Sequence, residues 1–247
     1  MAKSTYIQLV NDLLIEVNEV EIPETDFASC VGIWRHAKKA INNALRDIES
    51  DQHFWPFNYT EGAQTLTAYT TNYAAPDDMK IIDFDTFSLG PPATDAGEET
   101  FTDLTHLSYE EWIKEHRDRD KMIVRNSTGG SRPRYVVSLP SGQFALSPPP
   151  DKDYVLTYDY YKSLVVLSDK NDTCSVPEQF EHVIIAGALS WFNLFLDDTA
   201  QSNYIKKNLY EPSLKKMRTI LINNDFEVFE YRRKTLGGGR VSVLRGS

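Results

Sequence analysis

Hydrophobic periodicity changes twice along the 247 residues of this chain, from a helical repeat to a strand repeat and back. That double switch limits the fold more than any single motif does. Ser4 to Val20 predicts a helix, with Ile7, Val10, Leu14 and Val17 at helical spacing, Leu13 and Val20 widening the stripe, and Ser4 as cap. Pro23 ends it. Thr25 or Asp26 can cap a second helix from about Phe27 to Ser50, whose apolar face carries Cys30 or Val31, Trp34, Ala37, Ile41, Ala44 or Leu45, and Ile48. Two helices joined by so short a connection form an antiparallel hairpin.

From Phe54 to about Cys174 the signals are those of strands and turns. Glu61 to Tyr69 is rich in Thr and aromatics, and Lys80 to Leu89 alternates, with Ile82 and Phe84 on one face and Ile81, Phe87 and Leu89 on the other. Ser108 to Glu111 fits a capping box and predicts a short helix to about Arg117. Arg134–Leu139 and Gln143–Ser147 flank Pro140-Ser141-Gly142 as a hairpin, and Asp153 to Ser163 reads as a Tyr-rich strand. The stretches 90–100 and 126–132 read as polar surface loops. Helical texture returns at Val176: Phe180, Val183, Ile184, Ala188, Trp191, Phe192 and Phe195 form one wide apolar face, and Trp34, Ile41, Trp191 and Phe195 are expected in the core. A last helix spans about Thr199 to Asn223, with Tyr204, Ile205, Leu209, Leu214, Met217, Ile220 and Leu221 inward and a kink or break at Pro212.

The layout predicts an α+β protein: an antiparallel helical bundle from residues 1–57 and 176–230, a β-rich insertion at 58–175, and a flexible basic tail at 231–247. Composition agrees with a globular chain and excludes disordered, collagen-like and polytopic membrane classes, since 41% of residues are hydrophobic and 25% charged. With Cys30 and Cys174 as its only cysteines, the chain offers neither a disulfide framework nor a cysteine-built zinc site. Its first residues lack an apolar signal core. The longest apolar-rich run, Val183 to Leu196, is short for a bilayer and is interrupted by Gly187, Ser190 and Asn193. Synthesis in a reducing cytoplasm is the expectation.

Catalytic chemistry finds little support. The only glycine cluster, Gly237 to Gly239, lacks the strand and the Lys of a phosphate loop. His36, His53, His106, His116 and His182 form no ligand spacing; Glu178 and His182 sit four apart as a surface pair. Asp169 to Asp172 is a turn without calcium-loop spacing. Ser213 to Lys216 matches an S-x-x-K pattern without its companion motifs. Asp83 and Asp85 share a strand face and are the residues on which a carboxylate-based hydrolase would rest. Tyr154, Tyr158 and Tyr160 on one strand face, with Tyr161 opposite, would serve a carbohydrate-binding module or a protein interface.

Charge is divided. The net charge is −10, yet after Glu230 no acid occurs, while Arg232, Arg233, Lys234, Arg240 and Arg245 add five bases. An acidic body repels phosphate. The flexible basic segment ends on Val241, Val243 and Leu244, which suits docking into a partner's groove by strand addition.

Five blocks carry a resemblance: VGIWRHAKKAINNALRDIESDQHFWPFN, APDDMKIIDFDTFSL, SPPPDKDYVLTYDYYKS, VPEQFEHVIIAGALSWFNLFLDDTAQ, and Met217 to Asn223. Their order resembles the head-to-tail adaptors (connectors) of short-tailed bacteriophages, the tail tubular protein A group. The resemblance implies a structural virion protein of the tail neck, made in the host bacterial cytoplasm. It further implies a dodecameric ring that joins portal protein to tail nozzle protein and lines the DNA channel. Identical subunits are then partners, tail fibre proteins are further candidates, and genome DNA passes without specific binding. No enzymatic activity, catalytic residue, cofactor or metal is implied, and no membrane. The same resemblance sets the tail residues Arg232, Arg233, Lys234, Arg240, Val241, Val243, Leu244 and Arg245 against the portal.

Overall fold

The computed structural model describes residues 3–91 and 101–222. In chain order its helices are α1 (Tyr6–Glu16), α2 (Ile33–Asp51), α3 (Tyr109–Glu115), α4 (Arg117–Asn126), α5 (Glu181–Phe195) and α6 (Thr199–Ile205). Its strands are β1 (Tyr59–Thr65), β2 (Asn72–Tyr73), β3 (Met79–Gly90), β4 (Thr102–Asp103), β5 (Thr105–Leu107), β6 (Tyr135–Ser138), β7 (Phe144–Ser147) and β8 (Val155–Lys162). The fold is α+β. The chain forms two compact units, Met1–Phe57 with Leu164–Ser247, and Asn58–Ser163.

The helical unit is built on the α2–α5 pair. The pair is antiparallel: His36 stacks on Phe195 near one end, and Ala44 meets Gly187 further along. Gly187 is required by that approach, because a Cβ there would lie 2.9 Å from the Tyr210 ring and 3.0 Å from the Ala44 methyl. α1 buries Leu9, Val10, Leu13 and Leu14 against this pair. Its first residue adds a polar contact: the Tyr6 hydroxyl donates to the Lys38 carbonyl at 2.8 Å and accepts from Asn42 Nδ2 at 2.9 Å.

α2 starts later than the periodicity predicts. Residues 24–29 form turns, and Gly32, at φ 62°, precedes the first helical residue Ile33. A backbone in that left-handed region cannot lie inside a right-handed helix. Phe27 is nevertheless buried, edge-on to Tyr6 and under the Lys38 ammonium, 4.0 Å from its ring centre.

Residues 164–175, read from sequence as the end of the β-rich insertion, belong with the helical unit. Hydrogen bonding explains it. The first turn of α1 has N–H groups without intrahelical partners; Tyr6 and Ile7 donate theirs to the carbonyls of Asp172 and Lys170, at 2.7 and 3.2 Å. Asn42 clasps the backbone of Leu167, giving and receiving one bond of 3.0 Å each.

Pro212 does not end the last helix. After α6 the backbone widens into one π turn, Lys206–Tyr210, and residues 211–222 continue as α-helix. Proline has no N–H for the carbonyl four residues earlier and its ring crowds that group; the widened turn lies where the room is needed.

The β unit contains two four-stranded sheets among the described residues, ordered β1-β8-β3-β4 and β2-β7-β6-β5. The first is antiparallel; in the second β5 runs parallel to β6. They enclose a core in which Phe87, Phe144 and Tyr158 pack ring to ring at 4.8–5.6 Å. The alternation expected in β3 is reset on the way. Ile82, Phe87 and Leu89 all enter this core, although 82 and 87 differ in parity, because a register shift separates Asp83 from Ser88.

β6 and β7 are buried on both faces. Val136 enters the inter-sheet core, while Val137 and Ala145 meet Trp112 of α3. Ser108 caps α3 in the predicted box with Glu111. α4, which the periodicity did not reveal, brings in Asp120, fully buried and accepting from the Trp112 indole at 3.0 Å and the Ser147 hydroxyl at 2.6 Å.

Candidate assembly surface

The sequence places Trp191 and Phe195 in the core; the structure corrects both. Ile41 is fully buried and Trp34 partly so, but Trp191 is 37% exposed and Phe195 45% exposed. Helical geometry gives the reason. Trp191, Phe192, Leu194, Phe195 and Leu196 cover more of the helix circumference than one core face can take. Phe192 is the residue in line with Val183, Ile184 and Ala188, and it takes the inward position. Trp191, Leu194, Phe195 and Leu196 are left outside as an apolar ridge at the end of α5 and the residue that follows it. On the following helical stretch Ile205, Leu214 and Met217 are buried as expected, but Tyr204, Leu209 and Ile220, expected inward, are exposed and add apolar surface.

The ridge is held in place by polar contacts below it. The Trp191 indole donates to Asp47 Oδ2 at 2.7 Å, fixing the ring against α2. Ser202 donates its hydroxyl to the Ser190 carbonyl at 2.8 Å, tying α6 to α5. Asp198 caps α6 by accepting from the Gln201 N–H at 2.9 Å. Between these elements lies a cavity of about 140 Å³ lined in part by Asp47, Gly187, Ser190, Trp191 and Tyr210. The Tyr210 hydroxyl is buried without a hydrogen-bond partner among the described residues. Burial first, and then the carboxylates of Asp47 and Asp51, raise its ionisation far above the ordinary phenol range. It is a neutral group here, with no means of acting as a base.

The other candidates scatter. Asp83 and Asp85 do not face each other across a cleft. The Asp85 N–H donates to Asp83 Oδ1 at 3.1 Å, a turn inside the irregular part of β3. Across the sheet Asp83 opposes Asp159, which opposes Glu61, and Asp159 accepts from the Tyr59 hydroxyl. Tyr154, Tyr158 and Tyr160 are buried in the inter-sheet core, which removes them as stacking platforms. Glu178 lies in a short 3-10 turn and His182 is exposed in the first turn of α5. Asp172 is a turn-former: the Ser168 and Asp169 N–H groups donate to its carboxylate, both at 2.7 Å, and hold its pKa below the usual carboxylate range.

Among the described residues no cluster of His, Cys, Asp and Glu is arranged to hold a metal ion. No helix among them is long and apolar enough to cross a membrane. Arg232, Arg233, Lys234, Arg240, Val241, Val243, Leu244 and Arg245 of the expected docking tail lie outside the described residues, as do residues 92–100.

What this surface offers is therefore apolar contact area on a braced helical scaffold, the chemistry of association. Comparison with known proteins points the same way. The family model described as SU10 adaptor protein matches residues 4–229. Among curated proteins nothing matches the chain.

Proposed function

The chain belongs to the SU10 adaptor protein family, which makes it a phage structural adaptor, and from that membership we propose that it is the head-to-tail adaptor of its virion. In this reading identical subunits form a ring between portal protein and tail nozzle protein, and the ring lines the channel through which the genome leaves. The observation that carries the reading is the braced apolar ridge of Trp191, Leu194, Phe195 and Leu196. Large apolar side chains grouped on an exposed helix end suit an interaction site, and an adaptor needs such sites for its neighbours. A net charge of −10 suits a channel wall past which DNA must slide. The basic segment 231–247 is proposed to dock on the portal, with Arg232, Arg233 and Lys234 steering and Val241, Val243 and Leu244 anchoring.

The test is the particle mass of the purified chain, alone and mixed with the portal protein of the same phage. A ring-sized complex on the portal is expected, and deletion of residues 236–247 is expected to weaken it while leaving the melting temperature unchanged. Absence of any complex between the full chain and the portal defeats the reading.

A further inference from the structure

Within the helical unit, charge is segregated in a way that neither the fold nor the family description requires. Residues 4–34 contain six acids and no base, whereas residues 199–222 contain five bases and one acid. The two stretches dock at different places on α2. α1 sits against its first half, around Lys38 and Asn42. The final helical stretch sits by its second half, with Tyr210 against Gly187, where α5 meets Ala44, and Arg218 paired to Asp51 at 3.4 Å. Each stretch mixes its charges with uncovered apolar groups. Glu16, Glu19 and Glu21 are exposed around Ile15 and Val20, which are 57% and 74% exposed. Lys206, Lys207, Lys215 and Lys216 are exposed around Tyr204, Leu209 and Ile220.

We propose that these two surfaces bind each other between copies of this chain, the acidic α1 surface of one copy meeting the basic 204–220 surface of the next. The occupant follows from complementarity: one surface sets apolar groups among acids, the other sets them among lysines with Glu211 as its one acid, and the match in sign and texture is present on the same molecule. A contact between two different patches of one chain is heterologous, so every copy keeps one free patch of each kind and addition continues until a ring closes. Charge of opposite sign sets the orientation and rejects the like-on-like pairing of two identical surfaces. Asp12 reports on the field of the acidic surface: partial burial first, then Glu181, Glu21 and Glu16, push its pKa up and disfavour its charge. A layer of lysines from a neighbour would relieve that crowding. The inference deepens the ring reading and rests on it by naming which faces make the ring.

The experiment is charge reversal with cross-complementation, read by sedimentation of the full chain over a concentration series. One variant carries Glu16→Lys and Glu19→Lys, the other Lys215→Glu and Lys216→Glu. All four side chains are exposed, and Glu24 and Arg218, which are bonded within the unit, are left alone. Each variant alone is expected to self-associate about tenfold more weakly than the parent. An equimolar mixture is expected to recover association, because the reversed surface of one variant then faces the reversed surface of the other. Raising salt is expected to weaken the parent and the mixture together. Unchanged association of both single variants overturns the pairing of these faces and leaves the ring to other surfaces. Loss without recovery in the mixture also overturns it, and portal binding of the same variants then shows whether the lysines or the acids face the portal. A parent that never self-associates, free or on the portal, defeats both this inference and the ring.

Discussion

The two units spend their aromatic residues in opposite ways. In the β unit Phe87, Phe144 and Tyr158 are stacked between two sheets and closed off from solvent. In the helical unit Trp191, Phe195 and Tyr204 are built on buried supports and then left in contact with solvent. The difference teaches that aromatic content alone says nothing about role; what matters is whether a second layer covers the ring. A sheet pair supplies that layer from within its own unit. A helix that is apolar over most of its circumference has no such layer on its far side, and another molecule has to provide it.

The sharpest way to break this comparison is to truncate one ring of each kind. Phe144→Ala is expected to cost about 3–5 kcal/mol, because a fully buried side chain with three aromatic neighbours leaves a cavity that rigid sheets cannot fill. Phe195→Ala removes a ring that is 45% exposed and rests on His36, and about 1 kcal/mol is expected. Chemical denaturation of both variants measures the gap. Equal losses would mean that the ridge belongs to the stabilising core, and its assignment as an assembly surface would fall.

A smaller effect sharpens the account of the helical unit. Gly187→Ala places a methyl 2.9 Å from the Tyr210 ring and 3.0 Å from Ala44, so either the helices part or the ring turns into the neighbouring cavity. About 1–3 kcal/mol of destabilisation is expected, the range for forced overpacking. The cavity offers the Tyr210 ring somewhere to go, so Gly187→Ala with Tyr210→Leu should recover most of the loss. A double variant no more stable than Gly187→Ala alone would show that the crowding is with α2 instead.

Much of this was legible in the sequence, and each failure has its own physical cause. Periodicity located α1, α2 and the Tyr strand β8 because each has its core partners on one face, the wide apolar face marked α5, and the turn at Pro140-Ser141-Gly142 marked the hairpin β6–β7. It missed the start of α2, where Gly32 leaves the helical region, and it missed α4, whose single buried side chain is the charged Asp120. It overfilled the core with Trp191 and Phe195 because a wide apolar face looks the same whether or not anything covers it. It assigned β3 a single alternation, and an irregularity after Asp83 reset the phase. The acidic run from Asp12 to Asp26 and the basic run from Lys206 to Arg218 were in plain view. Their meaning was not, since only the packing of both stretches on α2 shows that they form two separate surfaces. Asp83 and Asp85 failed as a site because pairing on a strand face sets direction, not the presence of a cleft.

The smallest effect expected is electrostatic, and it sets two carboxylates of the helical unit against each other. Asp12 holds its proton more tightly in the folded chain than an ordinary Asp, through partial burial and then its acidic neighbours Glu181, Glu21 and Glu16. The folded state therefore binds more proton than the unfolded one between the ordinary Asp value and the raised one, and stability falls as pH climbs through that window. Asp172 behaves in reverse. The N–H groups of Ser168 and Asp169 favour its ionised form, so its contribution is present above the ordinary value and is lost as pH drops through the lowered one. Thermal melts between about pH 3 and pH 7 separate the two. Asp12→Asn should raise the melting temperature at neutral pH and leave it unchanged at the acid end. Asp172→Asn should lower it at neutral pH and close the gap to the parent in acid. A lower neutral melting temperature for Asp12→Asn would mean that its charge is compensated within the free chain. The expected rise has a further consequence, because the same substitution thins the acidic surface. It should make the single copy steadier and its head-to-tail self-association weaker, and a purely internal role for Asp12 would not move those two quantities in opposite directions.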